Sequence, residues 1–154
     1  MREENFYCSN KTTVTLEWIV RHCGTFEEFE QECSEDMLNE DCRVGNYLAE
    51  LLYKYNQKAS VVSDAAKCSF SYVGNIINGK KNNPSRNVLI CICLVIGATV
   101  EETQCLLKYA GHAPLYVRKK RDVIIWFGLM KGMGLEKVNE ILLKRGLVSL
   151  YKIE

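Results

Sequence analysis

Residues 71–89, SYVGNIINGKKNNPSRNVL, contain a short apolar helical pattern, a polar loop and the beginning of a second helix. Val73 and Ile76 are three residues apart, so they lie on one side of a helix and leave its other side free. Gly79 predicts the end of that helix, and Pro84 predicts the beginning of the next one. The segment therefore predicts a helix with one exposed face, followed by a polar loop.

Helical patterns continue on both sides of this segment. A second helix at residues 59–66 and a third at residues 70–78 would be joined by three residues only. Together with three further amphipathic patterns, they predict a five-helix module over residues 44–111. Residues 1–43 predict an acidic N-terminal helical extension, and residues 112–154 predict a C-terminal helical extension packed on the module. The predicted fold class is all-α.

The central motif resembles the lambda-repressor-like helix-turn-helix family, also called Cro/C1-type or XRE. One residue more than in the usual pattern precedes the proline of the loop. The matching residues are Ser71, Tyr72, Val73, Ile76, Gly79, Pro84 and Ser85. The later segment LLKYAGHAPLYVRKKRDVIIWFGLMKG, residues 106–132, is similar to small Gram-positive bacterial helix-turn-helix proteins with a helical C-terminal extension. The resemblance implies a DNA-binding transcriptional regulator.

In such a module the second motif helix lies in the major groove of double-stranded DNA, which admits one helix. Asn75 is the best candidate for reading a base, because an amide can form two hydrogen bonds with adenine. The full set of side chains predicted to face the bases is Phe70, Ser71, Gly74, Asn75 and Asn78. The residues predicted to contact phosphates are Lys80, Lys81, Asn83, Ser85 and Arg86.

Two residues depart from the family pattern and favour an alternative function. Lys67 occupies the position in the turn where a glycine is expected, and a lysine tolerates a left-handed backbone poorly. Gly74 weakens the recognition helix by about 1 kcal/mol relative to alanine. The alternative is a helix-turn-helix scaffold that acts as a protein–protein interaction module or regulatory adaptor without reading DNA.

The charges are distributed unevenly along the chain. Residues 1–56 carry five Lys or Arg against twelve Asp or Glu, whereas residues 57–154 carry fifteen against seven. A basic half that contains a binding motif suits a polyanion such as DNA. The acidic N-terminal region offers a surface for a protein partner. The other interpretation is that the two halves attract each other within one fold.

A second basic cluster lies at Arg118, Lys119, Lys120 and Arg121, immediately before an apolar helix. Positive charge at the beginning of a helix opposes the helix dipole and costs stability. One interpretation is a second site for an external anion. The other is a solvated helix start.

No spacing links a nucleophile to a base, and no glycine-rich phosphate loop is present, so we expect no enzyme activity and no cofactor. The eight cysteines contain no CxxC pair, which favours reduced core thiols over a zinc site. Without a membrane span or a secretory signal, a cytoplasmic location is expected. Because related modules commonly bind paired half-sites, a homodimer is a candidate assembly, although the sequence indicates no dimer surface.

Overall fold

The computed structural model describes Lys11, residues 13–37 and residues 43–152. These residues form helices, turns and loops without a β-strand, so the all-α prediction is confirmed for them. None of the helices in the described ranges has the length and apolar character needed to cross a membrane. The chain divides into two compact units, Met1–Asp41 and Cys42–Glu154.

The first unit contains helix α1, Thr13–His22, helix α2, Phe26–Cys33, and a 3-10 turn at Ser34–Asp36. The hydroxyl of Thr25 accepts a hydrogen bond from the backbone N–H of Glu28 at 3.2 Å, so Thr25 is the N-cap of α2. The Glu28 carboxylate accepts from the N–H of Gly24 at 3.0 Å. Thr25 and Glu28 together therefore fix the beginning of α2.

The second unit contains seven helices within residues 43–152. They are α3 (Val44–Lys54), α4 (Ala59–Ala65), α5 (Tyr72–Ile77), α6 (Arg86–Ile96), α7 (Val100–Tyr109), α8 (Lys120–Met130) and α9 (Leu135–Lys144). The third predicted helix of the module is shorter than expected, because Phe70 and Ser71 form a turn before α5. A single turn of chain, residues 66–71, joins α4 to α5.

Helix α6 is the centre of the second unit. It contacts α4, α7, α8 and α9, which explains why its sequence RNVLICICLVI is apolar on nearly every side. Leu89, Ile90 and Ile92 are completely buried there. The extension formed by α8 and α9 therefore packs on the same core as the module instead of forming a separate one.

Two glycines allow helices to approach closely. A Cβ atom on Gly45 would lie 2.3 Å from the carbonyl oxygen of Ile76, so α3 and α5 touch backbone to backbone. A Cβ atom on Gly128 would lie 2.3 Å from Cγ2 of Val138, where α8 meets α9. Both helix contacts require the absence of a side chain at the glycine.

The cysteines follow the prediction in part. Among the described residues, Cys23, Cys33, Cys68, Cys91 and Cys93 are free thiols. Cys105 is disulfide-bonded, so the prediction of a reduced thiol is wrong at this position. Burial raises the pKa of Cys91 and of Cys93 to about 12, which keeps both as neutral thiols in the core. Cys8 and Cys42 lie outside the described residues.

Candidate functional site

The turn between α4 and α5 is held by hydrogen bonds to Ser63, which is fully buried. Its hydroxyl accepts from the N–H of Val73 at 3.0 Å, and its carbonyl accepts from the N–H of Cys68 at 3.1 Å. Lys67 adopts a left-handed backbone, with a φ of 61°, as expected for the position where the family pattern has glycine. The turn therefore holds Lys67 in a backbone conformation that is strained for a residue with a Cβ.

One side of helix α5 packs against the core. Val73 and Ile76 are completely or almost completely buried, and α5 packs on both α3 and α4. This contact orients the opposite side of α5 and the turn before it toward solvent. Phe70 is 76% exposed there, although an aromatic side chain of this size is usually covered.

The other predicted base-reading residues differ in their exposure to solvent and in their hydrogen bonds. Ser71 and Asn78 are exposed, whereas Gly74 and Asn75 are half-buried. The Asn78 side chain accepts a hydrogen bond from the N–H of Lys80 at 3.0 Å, which shapes the following loop. The Asn75 amide makes no side-chain hydrogen bond with the described part of the chain, so it retains both its donor and its acceptor.

The polar loop after α5 presents cations beside this face. Lys80 is exposed, and the Nζ atom of Lys81 lies 4.9 Å from the ring centroid of Tyr72. Neither lysine forms an ion pair with the described residues. Asn83 is exposed as well.

Hydrogen bonds at Pro84 and Ser85 connect the polar loop to the beginning of α6. The Ser85 hydroxyl accepts from the N–H of Val88 at 3.2 Å, and the N–H of Ser85 donates to the Tyr72 hydroxyl at 3.4 Å. The Nε2 atom of His112 lies 2.7 Å from the carbonyl oxygen of Pro84. The contacts of Tyr72 with Lys81 and Ser85 could not be predicted from the motif, because the motif marks the tyrosine without indicating its partners.

Arg86 is engaged inside the protein. Its Nη2 atom lies 3.0 Å from Oδ2 of Asp122, and its Nε atom donates to the carbonyl of Ala113 at 2.9 Å. A further bond reaches the carbonyl of Pro114 at 3.3 Å. These contacts occupy the guanidinium group that was predicted to contact phosphate. Arg86 of α6 instead binds Asp122 of α8 and the loop after α7. No local pattern could indicate this pair, whose members are 36 residues apart.

The second basic cluster separates into two parts. Arg118, Lys119 and Lys120 are exposed and form no ion pair with the described residues. Arg121 instead donates to the carbonyl of Val148 at 2.9 Å and to the side chain of Asn87 at 2.9 Å. Three of the four cations predicted for an external anion are therefore available, and the fourth anchors the C-terminal residues.

Within residues 13–37 and 43–152, no three His, Cys, Asp or Glu side chains cluster as metal ligands would. No protein-family model matches the sequence, and no curated protein or solved structure matches the chain. The resemblance to the lambda-repressor-like family rests on the residues around α5 themselves.

Proposed function

We propose that this protein is a DNA-binding transcriptional regulator that inserts α5 into the major groove of double-stranded DNA. The observation that carries the proposal is the position of α5, because Val73 and Ile76 are buried against the core while Asn75 on its other side keeps partial access to solvent. A helix fixed by buried side chains, with a polar residue accessible on its other side, is what a base-reading element requires, because base contacts depend on accurate placement. The function is binding, without catalysis.

Asn75 is the proposed base-reading residue. Its unused amide can pair with the N6 and N7 atoms of adenine, a contact worth about 1–3 kcal/mol of discrimination. Gly74 lies next to it and has no side chain that would hold the helix away from the bases. Phe70 and Ser71, in the turn before α5, supply a contact for a thymine methyl group and a hydroxyl.

Lys80 and Lys81 are the proposed phosphate contacts, together with the polar side chains of Asn83 and Ser85. Lysines without an internal ion pair can neutralise phosphates and release counterions, which makes binding strongly dependent on salt. Arg86 supports the site indirectly, because its ion pair with Asp122 fixes the beginning of α6. Paired half-sites would require a homodimer.

The first experiment selects bound duplexes from a random pool at two salt concentrations. The affinity for a selected duplex is then measured for the wild type, for Lys80→Glu/Lys81→Glu and for Asn75→Ala. We expect the lysine variant to bind at least about tenfold more weakly and to reduce the slope of log K against log salt by about 2. Asn75→Ala should relax the preference at one base pair.

The matched control is Lys131→Glu/Lys152→Glu, which makes the same change of net charge at exposed positions outside the motif. It should retain nearly all of the affinity. The proposal fails if the lysine variant and the control bind DNA equally well, or if no duplex is enriched at either salt concentration.

The exposure of Phe70 favours a second candidate, a protein-contact module built on the same scaffold. Few cations near α5 remain for phosphates, because Lys67 forms an ion pair with Glu136 at 3.4 Å and Arg86 forms one with Asp122. The exposed Phe26 on the acidic helix α2 is a second apolar contact point. A protein-contact module predicts no duplex enrichment, whereas the DNA-binding proposal predicts enrichment that Phe70→Ser alters without abolishing.

A further inference from the structure

A groove of about 530 Å³ lies between α8 and α9, in the C-terminal extension. This volume is in the range of pockets that hold small molecules. Its lining contains no acidic residue and consists of Val117, Arg118, Lys120, Val123, Ile124, Phe127, Met133, Ile141 and Arg145. The groove therefore combines an apolar surface with three positive charges.

The charges lie at one end of the groove. Residues 131–134 join α8 to α9, and Arg121 near the beginning of α8 reaches the carbonyl of Val148 after the end of α9. The two helices are therefore antiparallel. Arg118 and Lys120, at the beginning of α8, lie at the same end as Arg145, which follows α9.

The other end of the groove is apolar. Met133 lies in the connection between the helices, and Phe127 lies in the last turn of α8. Phe127 remains 49% exposed, and Val123, Ile124 and Ile141 are half-buried between the two ends. A molecule that lies along the groove therefore meets positive charge at one end and apolar side chains along the rest of its length.

Within the described part of the extension, residues 112–152, no carboxylate pairs with these cations. Residues 112–152 contain three acidic side chains: Asp122, Glu136 and Glu140. Asp122 pairs with Arg86 and Glu136 with Lys67, while Glu140 lies 3.0 Å from Lys144 and 3.9 Å from Lys137. The charged end of the groove therefore keeps its positive potential, which is complementary to an anion.

We propose that this groove binds a free, single-chain amphiphile whose anionic head group, a carboxylate or phosphate, contacts Arg118, Lys120 and Arg145. Its hydrocarbon chain would cover Val123, Ile124, Phe127 and Ile141. A neutral lipid would leave the cations of the groove without a partner. An inorganic anion would leave its apolar side chains in contact with water. The groove therefore favours an anionic amphiphile over both. The inference is independent of DNA binding.

Isothermal titration calorimetry of the full chain with dodecanoate, below its critical micelle concentration, tests the proposal. We expect saturable binding of one molecule per groove, and weaker binding by at least about tenfold in Arg118→Gln/Lys120→Gln, since charge-assisted hydrogen bonds are lost. Arg145→Gln should weaken binding in the same direction. Lys131→Gln/Lys152→Gln is the control with the same loss of charge and should bind like the wild type.

Dodecyltrimethylammonium, with the same chain and the opposite charge, should not bind measurably. In amide NMR spectra, dodecanoate should shift the signals of Val123, Phe127 and Ile141. The proposal is overturned if both amphiphiles bind with equal affinity, or if Arg118→Gln/Lys120→Gln binds dodecanoate like the wild type. It is also overturned if the NMR shifts are confined to other regions of the chain. Binding only to vesicles that contain anionic lipid, with none to free dodecanoate, would also overturn it in favour of a membrane surface.

Discussion

Arg86 and Asp122 form an ion pair, 3.0 Å between Nη2 and Oδ2, that joins the beginning of α6 to the first turn of α8. The Asp122 side chain is only 4% exposed and also accepts from the N–H of Tyr116 at 3.0 Å. The pair therefore ties the C-terminal extension to the helix that leads out of the candidate DNA-binding loop. A buried carboxylate with two donors is costly to remove, since its partner then stays without a counter-charge.

Replacing Asp122 with alanine should lower the free energy of unfolding by about 3 kcal/mol, because Arg86 is left partly buried and unpaired. Urea denaturation followed by circular dichroism measures the change. The exposed pair of Lys67 and Glu136 serves as the control, and Glu136→Ala should cost less than about 1 kcal/mol. Equal effects of the two variants would contradict the structural role of Asp122.

Glu102 should make stability dependent on pH at the acidic end. Desolvation opposes its charged form, but hydrogen bonds from the backbone of Thr99 and from Tyr55 and Lys54 outweigh burial and lower the pKa below its ordinary value of 4.5. A lowered pKa in the folded state stabilises the protein above about pH 4.5, and this stabilisation is lost as the pH falls through the folded pKa.

Replacing Glu102 with glutamine should therefore cost about 2 kcal/mol at pH 7 and progressively less below pH 4.5. Urea denaturation at pH 7 and at pH 3 gives the two values. The exposed Glu50, on α3, offers a control, since Glu50→Gln should change stability little at either pH. A cost at Glu102 that is the same at both pH values would contradict this account.

Two glycines of the module should respond to alanine in opposite directions. At Gly45 the new Cβ would lie 2.3 Å from a backbone oxygen of α5, so Gly45→Ala should destabilise the protein by about 3 kcal/mol. At Gly74 nothing lies within 4 Å of the new atom, and Gly74→Ala should stabilise α5 by about 0.5–1 kcal/mol. Thermal unfolding of the two variants compares them directly, and a shift of both in the same direction would refute the prediction.

Lys67→Gly should stabilise the turn between α4 and α5. A left-handed backbone costs a residue with a Cβ about 1–2 kcal/mol, whereas the exposed pair with Glu136 contributes about 0–1 kcal/mol. The relief of strain should therefore exceed the lost ion pair by roughly 0.5–1 kcal/mol. Lys67→Ala removes the ion pair and keeps the Cβ, so it should not stabilise. If alanine and glycine give the same stability, the strain at Lys67 is absent.

The helices of the second unit could be predicted from short patterns because their signals are local. Thr99 and Glu102 have the spacing of a capping box, and the structure contains both of its hydrogen bonds. Pro84 predicted the beginning of the next helix, and α6 begins two residues later at Arg86. Phe70 and Ser71 were placed in a helix, but the chain makes a turn there and α5 begins only at Tyr72.

The sequence alone determined the all-α class, since it depends on residues within a few positions of one another. Only the tertiary structure decided which charges remain free. Arg86 and Arg121 have the same chemistry as Arg118, yet both are bound by groups at least 27 residues away. Whether a cation faces solvent or a buried carboxylate depends on how distant helices pack, which no local spacing encodes.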